Sequence, residues 1–258
     1  MTGPVLVFDS GVGGLSVVSA MRRRFPDMAL AYACDNAMLP YGVREDAWLV
    51  ERIPAVCQAA VEASGCSALV VACNTASTLA LEVLRRRLDV PVVGTVPAIK
   101  PAARLSRSRH FGLLATRATV SRPYTLALIR EFAGDCVVTR VAADALVGQA
   151  EGLLAGDPLD GEVIHDSLAP LWEDSDLDTV VMGCTHFPLL HDALVEASPR
   201  RVAWIDSGDA IARRVAQVVP DHPVHQGPGR SFVTLADARI TSGLASFGFA
   251  RPTLLSFS

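Results

Sequence analysis

The sequence predicts an α/β protein with two similar parallel-sheet α/β lobes. Two observations lead to this prediction: short apolar runs alternate with helical segments along almost the whole chain, and the pattern of strand ends occurs twice. The chain has 258 residues, of which 50% are hydrophobic and 19% charged, so it has enough apolar content for one large core or two smaller ones.

Eight runs rich in Val, Leu and Ala are predicted as buried strands because each is short, continuous and apolar. In chain order they cover residues 5–8, 29–33, 68–72, 91–93, 111–114, 137–141, 179–182 and 202–205. Between the strands, residues 79–88 and 209–219 show helical periodicity with charged outer faces. Such helices are expected to connect neighbouring parallel strands.

The strand ends in the first half of the chain resemble those in the second half. The matching segments are residues 6–10 with 112–116 and residues 69–75 with 179–185. Chance similarity among apolar strands is the alternative, but Cys73 and Cys184 occupy equivalent positions and favour an internal repeat of two related lobes. Residues 94–101, which contain prolines, are the predicted crossover between the lobes.

Charge and hydropathy exclude several classes of partner. With 23 basic and 27 acidic residues the net charge is −4, so neither nucleic acid nor an anionic membrane is an expected partner. The apolar runs fall far short of the roughly 20 residues that a membrane span needs. The chain does not open with a basic region followed by an apolar stretch. We therefore expect a soluble, cytoplasmic protein.

The six cysteines lie far apart without a C-x-x-C pair, which is typical of free thiols in a reducing compartment. No metal site is predicted, because Cys184 and His186 lack a companion pair at ligand spacing. Lys100 is the only lysine, and a pyridoxal enzyme needs a lysine for its Schiff base.

Four clusters of polar residues are predicted to lie at the carboxyl ends of the strands or in the loops beyond them. Parallel α/β folds bind ligands at these strand ends. These clusters cover residues 9–11, 40–42, 73–75 and 184–186. Gly11, Gly13 and Gly14 match neither the dinucleotide fingerprint nor a Walker loop, so no nucleotide is expected. A tight strand-to-helix turn is the alternative explanation of these glycines.

Cys73 and Cys184 are each preceded by an apolar strand and followed by a hydroxyl residue, which predicts that both thiols lie at helix N-termini. The helix dipole lowers a thiol pKa at that position. A single such cysteine would usually be a buried small side chain, whereas two in matching contexts indicate a functional pair. A Cys/His hydrolase would leave the second cysteine unexplained.

Four segments resemble a known family. They read F-D-S-G-V-G-G-L-S-V (8–17), P-Y-G (40–42), A-C-N-T-A-S (72–77) and G-C-T-H-F-P-L-L (183–190). These motifs closely resemble those of the glutamate racemases, which belong to the cofactor-independent Asp/Glu racemases. The resemblance spans residues 5 to about 219, and residues 232–258 carry little family signature.

The resemblance implies two lobes, the second inserted into the first, with the active site in the cleft between them. The first lobe would comprise residues 1–95 plus 209–258, and the second residues 96–208. The implied activity is interconversion of L- and D-glutamate without a cofactor, supplying D-glutamate for peptidoglycan. Glutamate is the expected partner, and a homodimer is one expectation for the assembly, which the sequence leaves open.

The resemblance also implies roles for individual residues. Cys73 would take the α-proton from D-glutamate and Cys184 from L-glutamate, with Asp9 assisting Cys73 and His186 assisting Cys184. Glu151 resembles a family glutamate that approaches the histidine. The implied substrate contacts are Ser10, Pro40, Tyr41, Gly42, Asn74, Thr75, Thr116, Thr119 and Thr185.

Structural roles without a part in catalysis remain as alternatives for several of these residues. Asp9 would otherwise form a turn, His186 would cap a helix or be buried, and Thr116 and Thr119 would cap a helix. Glu151 would otherwise lie on the surface. The remaining histidines are expected to be solvated or structural: His110, His165, His191, His222 and His225.

The chemistry of inversion agrees with two cysteines. Inverting an α-carbon requires an acid/base group on each face, and a thiol with an ordinary pKa of about 8.5 can be tuned to serve as either member of the pair. Two other functions stay open at this point. One is a racemase acting on aspartate or another acid, and the other is a two-lobed binding protein without catalysis.

Overall fold

The computed structural model describes residues 3–221, 224 and 227–257, so His222 and His225 lie outside the described residues. Its contacts divide the chain into two compact units. The first unit comprises Met1–Thr95 and Gly208–Ser258, and the second comprises Val96–Ser207.

The first unit contains a parallel sheet with the strand order β10-β9-β2-β1-β3-β4. Its strands are β1 (Val5–Asp9), β2 (Leu30–Cys34), β3 (Ala68–Val71), β4 (Val92–Gly94), β9 (Ser231–Val233) and β10 (Thr253–Leu254). Its helices are α1 (Leu15–Arg24), α2 (Asp46–Ser64), α3 (Asn74–Arg87), α10 (Gly208–Val218) and α11 (Ala238–Ser246).

The second unit contains a parallel sheet with the strand order β6-β5-β7-β8. Its strands are β5 (His110–Ala115), β6 (Val137–Ala142), β7 (Thr179–Met182) and β8 (Ala203–Ile205). Its helices are α4 (Ile99–Leu105), α5 (Arg117–Ser121), α6 (Pro123–Phe132), α7 (Ala145–Leu154), α8 (Gly161–Leu168) and α9 (His191–Glu196).

The two sheets confirm the predicted fold class and the internal repeat. The order β2-β1-β3-β4 in the first unit recurs as β6-β5-β7-β8 in the second. All eight predicted strands form, and each ends within one residue of its predicted bounds. The predicted helices correspond to α3, which begins five residues earlier than the periodicity indicates, and to α10.

The central strands of each sheet are buried because they are largely apolar on both faces. Leu6, Phe8 and Leu69 pack in the core of the first unit, and Phe111 and Leu113 pack in that of the second. These side chains are fully buried. No helix in the described part of the chain is long and apolar enough to cross a membrane.

The C-terminal segment continues the first sheet, which the sequence did not predict. Strand β9 pairs with β2, placing Phe232 beside Ala33, and β10 forms the edge beyond β9. Strands of three and two residues are too short to show a periodic pattern. Phe232 nevertheless lies in the hydrophobic core of the first unit.

We therefore expect Phe232→Ala to lower the free energy of unfolding by about 3–5 kcal/mol, because it empties a buried aromatic site. Phe232 is 1% exposed, whereas Leu235 is 52% exposed and provides the control. Leu235→Ala should change stability by less than about 0.5 kcal/mol. Urea denaturation followed by circular dichroism measures both, and equal stabilities for the two variants would show that β9 is not part of the core.

Candidate active site

The first group of site residues lies where β1 and β3 end. Because these strands pair in parallel, Asp9 and Ser10 come close to Cys73. The Ser10 hydroxyl lies 3.3 Å from Asp9 Oδ1 and 3.9 Å from Cys73 Sγ. The Gly11 N–H donates to Asp9 Oδ1 at 3.1 Å. We call Asp9, Ser10, Gly11 and Cys73 the Cys73 half-site.

Cys73 is the residue that precedes the first turn of α3, as predicted. The free N–H groups at this end of a helix favour negative charge beside them. Asn74 and Thr75 follow it and are buried. The Asn74 Oδ1 atom is buried without a hydrogen-bond partner in the structure. A buried acceptor normally has a partner, so this atom fits a donor group of a ligand.

The predicted cluster at residues 40–42 lies in a turn that joins a buried hydrogen-bond network through Tyr41. Leu39–Pro40 is a cis peptide, and Tyr41 and Gly42 lie in a 3-10 turn. The buried Tyr41 hydroxyl donates to Asp35 Oδ2 at 2.8 Å. Burial, and then the charge of Asp35, raise the pKa of Tyr41 well above its ordinary value. The Tyr41 side chain is therefore a structural member of a buried network.

Asp35 is the centre of that network, and sequence reasoning missed it. Arg52 donates to both carboxylate oxygens, at 2.9 Å and 2.8 Å. Thr234, which follows β9, donates to Asp35 Oδ1 at 2.7 Å. Asp35 follows β2 directly, so its place at the end of a parallel strand is a signal by which it could have been found.

The second group of site residues lies beyond the end of β7. His186 Nδ1 is 3.7 Å from Cys184 Sγ, and its Nε2 is 2.7 Å from Glu151 Oε1 on α7. His186 is buried, and Glu151 is largely buried. We call Glu151, Cys184 and His186 the Cys184 half-site.

His186 is held between two groups that accept protons. Burial by itself would lower the pKa of His186, but the hydrogen bonds and negative charges of Cys184 and Glu151 raise it well above the ordinary value. A protonated imidazole here donates from one ring nitrogen to the sulfur and from the other to the carboxylate. Glu151 is therefore not an ordinary surface glutamate.

The predicted helix N-terminus at Cys184 is wrong. Cys184 lies in a turn, and a 3-10 helix, Phe187–Leu190, begins three residues later. Pro188 lies in the first turn of that helix, and α9 begins only at His191. A short 3-10 helix offers no extended dipole, and the thiol of Cys184 contacts the imidazole of His186 instead.

The predicted threonine contacts lie at the same edge of the second sheet. Thr116 follows β5, and its hydroxyl is 3.1 Å from that of Thr119. Both are buried, as is Thr185, which follows Cys184. Thr116 occupies the capping position of α5, but its side chain makes no capping hydrogen bond. Capping therefore does not explain the Thr116 hydroxyl.

The described histidines outside the half-sites have structural or solvated settings. Buried His110 contacts Thr139 Oγ1 at 2.8 Å and Asp174 Oδ2 at 3.3 Å. His165 and His191 are exposed. Among residues 3–221, 224 and 227–257, no group of three or more His, Cys, Asp or Glu side chains is arranged to hold a metal ion.

Comparison with known proteins gives consistent matches. The family model described as Asp/Glu/Hydantoin racemase matches residues 14–215. A glutamate racemase of Shewanella halifaxensis is 44% identical over 249 residues, covering 95% of this chain and 93% of the relative. One from Salmonella gallinarum is 48% identical over 225 residues, covering 87% of this chain and 78% of the relative.

A solved structure extends the match to the whole chain. It is that of Escherichia coli glutamate racemase in complex with L-glutamate and the activator UDP-MurNAc-ala. The TM-score is 0.94 at 41% identity, and the alignment covers 100% of both chains. The fold of residues 232–257, which the sequence motifs did not cover, is therefore shared with that protein.

We expect Glu151→Gln to lower the pKa of His186, because it removes a carboxylate 2.7 Å from Nε2. The raised pKa of native His186 stabilises the fold fully below the pKa of an unfolded histidine, and the stabilisation is lost as pH rises through the folded pKa. The difference in the free energy of unfolding between wild type and Glu151→Gln should therefore become smaller as pH rises through the folded pKa of His186. NMR titration of the imidazole and urea unfolding at several pH values measure both effects.

A matched control removes the carboxylate beside another buried histidine. Asp174→Asn changes the partner of His110, and it should leave the His186 titration unchanged. An unchanged His186 titration in Glu151→Gln would contradict the assigned interaction.

Proposed function

This chain belongs to the Asp/Glu/hydantoin racemase family, and we propose that it is a glutamate racemase that interconverts L- and D-glutamate with two cysteine bases. The observation that carries the proposal is that the two cysteines at equivalent strand ends each lie beside acid/base groups. Ser10 and Asp9 accompany Cys73, and His186 and Glu151 accompany Cys184. The names and substrate of the similar proteins support glutamate as the substrate.

The proposed reaction moves one proton off and one proton onto the α-carbon. The Cys73 thiolate removes the α-proton of D-glutamate, and the electron pair of the C–H bond is delocalised into the α-carboxylate. The Cys184 thiol then donates its own proton to the opposite face, which gives L-glutamate. The reverse direction begins with Cys184 as thiolate and ends with Cys73 as donor. No redox step is needed.

The assisting groups in the two half-sites differ in kind. At Cys184, protonated His186 stabilises a thiolate and Glu151 stabilises the imidazolium. At Cys73, Asp9 acts through the Ser10 hydroxyl, which lies between the carboxylate and the sulfur. We propose that both arrangements make proton exchange at the thiol reversible.

The negative charge that develops on the substrate carboxylate needs hydrogen-bond donors. The buried hydroxyls of Thr75, Thr116, Thr119 and Thr185 are the donors we propose, and Ser10 would lie beside the substrate with its hydroxyl donating to Asp9. The orphaned Asn74 Oδ1 would accept from the substrate ammonium group. Pro40 and Gly42 would shape the turn beside them, whereas the Tyr41 hydroxyl is already bonded to Asp35.

A mechanism without pyridoxal phosphate is part of the proposal. Lys100, the only lysine in the chain, is exposed on α4, and its ammonium lies 4.9 Å from the centre of the Phe132 ring. An exposed ammonium that packs on an aromatic ring is not placed as a Schiff-base lysine, so we propose that the α-proton is removed without a Schiff base.

The proposed physiological role is supply of D-glutamate for peptidoglycan in the cytoplasm. This role rests on the family motifs and on the proposed activity. Expression of wild type should restore growth of a bacterium that requires D-glutamate, and the cysteine variants below should not.

We expect the purified protein to abolish the optical rotation of L-glutamate in buffer with a chelator and without added cofactor. Cys73→Ala and Cys184→Ala should each lower turnover roughly 10²–10⁴-fold, because each removes one acid/base group. The control Cys136→Ala removes a thiol outside both half-sites and should keep wild-type turnover. Full activity in the double variant lacking Cys73 and Cys184 would refute the mechanism, and faster turnover of aspartate would reassign the substrate.

A second test assigns a face to each cysteine. An analogue of glutamate with a leaving group at the β-carbon needs only one base: the base takes the α-proton, the C–H electrons form a double bond, and the leaving group departs with the C–X electrons. The enamine then hydrolyses to a 2-oxo acid and ammonia. Cys184→Ser, which retains Cys73, should act on the D-enantiomer, and Cys73→Ser on the L-enantiomer, as measured by 2-oxo acid release. The same preference in both variants would contradict the assignment.

A further inference from the structure

A tyrosine that no sequence motif singled out holds the loop of the Cys73 half-site. Tyr32 is a fully buried residue of β2, which pairs with β1. Its hydroxyl donates to the Gly11 carbonyl oxygen at 2.6 Å. The N–H of the same glycine donates to Asp9 Oδ1. Gly11 is thus tied to the sheet through its carbonyl and to the assisting carboxylate through its N–H.

The space around this contact is filled. A Cβ added at Gly14 would lie 2.9 Å from the Tyr32 hydroxyl oxygen and 2.9 Å from Asp9 Cβ. Real Cβ atoms essentially never approach so closely, so a side chain at position 14 would displace the tyrosine, the aspartate or both. Gly14 is therefore the glycine of this loop that close approach requires, and it lets Tyr32 and Asp9 pack on the same backbone.

The Tyr32 ring packs against Phe249, which lies in the C-terminal part of the chain. The Phe249 ring lies 5.7 Å from the Tyr32 ring at 45°. The Arg22 guanidinium lies 5.1 Å from the Phe249 centroid, and it also donates to the Phe247 carbonyl oxygen. Aromatic and cation–π contacts of this kind fix ring orientation. A buried hydroxyl on a fixed ring restricts where the Gly11 carbonyl can lie.

We propose that Tyr32 is a positioning residue for the Cys73 half of the reaction. It acts through Gly11 on Asp9, and through Asp9 and Ser10 on the Cys73 thiol, which lies 3.9 Å from the Ser10 hydroxyl. The inference rests on the proposed two-cysteine function, and it predicts an effect on one half-reaction only.

The experiment introduces Tyr32→Phe into the two single-base variants described above. The change keeps the ring and removes only the hydroxyl. With Cys184→Ser, elimination from the D-enantiomer should fall about tenfold or more in kcat, because a misplaced acid/base group costs up to about 10²-fold. With Cys73→Ser, elimination from the L-enantiomer should fall less than about twofold. The measured quantity is the fold-loss in kcat that Tyr32→Phe causes with Cys184→Ser, divided by the fold-loss that it causes with Cys73→Ser.

The matched control is Tyr124→Phe in the same two backgrounds. Tyr124 lies in the second unit and its side chain is 41% exposed, so both rates should stay within about twofold. Equal losses in the two backgrounds for Tyr32→Phe would show a merely structural hydroxyl and overturn the inference. No loss in either would overturn it as well.

A second variant keeps the inference testable if Tyr32→Phe does not fold. Phe249→Leu retains the tyrosine hydroxyl and removes the ring behind it, so it should also slow the D-enantiomer reaction selectively, by a smaller factor of about threefold. If Phe249→Leu slowed the reactions in the two backgrounds by the same factor, or slowed neither, the result would contradict the inference.

Failure of the proposed function has a separate signature. In that case the parent single-base variants do not eliminate from either enantiomer and wild type does not racemise glutamate, which overturns both proposals. If the parents eliminate with the expected preferences and Tyr32→Phe affects both equally, only the role of Tyr32 is overturned.

Discussion

The parallel pairing of β1 with β3, and of β5 with β7, is the constraint on which the candidate site depends. Parallel strands end at the same edge of a sheet, and the chain must leave each end through a turn whose backbone donors are not all used within the sheet. Asp9, Ser10 and Cys73 meet at such an edge of the first sheet, and Thr116 and Cys184 follow the corresponding strands of the second. The strand order brings together residues that are more than 60 positions apart in the chain.

Much of the fold was predictable because the central strands of both sheets are buried. A strand such as Thr179–Met182 is buried throughout and apolar after its first residue, so its limits are visible in the sequence. The contacts that were not predictable depend on side chains meeting across the fold. The Tyr41 hydroxyl bonds to Asp35 because Arg52 and Thr234 hold that carboxylate in place. The turn at Cys184 depends on how the chain enters a short 3-10 helix, which strand patterns do not predict.

The two half-sites lie at the ends of corresponding strands, but different kinds of side chain surround their cysteines. A histidine at Cys184 carries a positive charge when protonated, and Glu151 balances that charge. At Cys73 the thiol contacts the Ser10 hydroxyl, which donates to the Asp9 carboxylate, and the cysteine precedes a long helix. A thiolate can thus be favoured by a cation in one half-site and by helix N–H groups in the other. Internal duplication of the fold therefore does not duplicate the residues that surround the two cysteines.

Position relative to a helix distinguishes Cys73, which we propose as a base, from Cys57, although both cysteines are buried. Cys57 lies within α2, and burial, followed by the charges of Asp35 and Cys73, raises the pKa of its thiol well above the ordinary value. Burial also raises the pKa of the Cys66 thiol. A helix interior has no free N–H groups, since each donates to a carbonyl four residues earlier. Cys73 precedes the first turn of α3, where such donors remain available. The reactivity we propose for a cysteine here thus follows from where its strand ends, and hydrophobic patterning around the residue predicts only that it is buried.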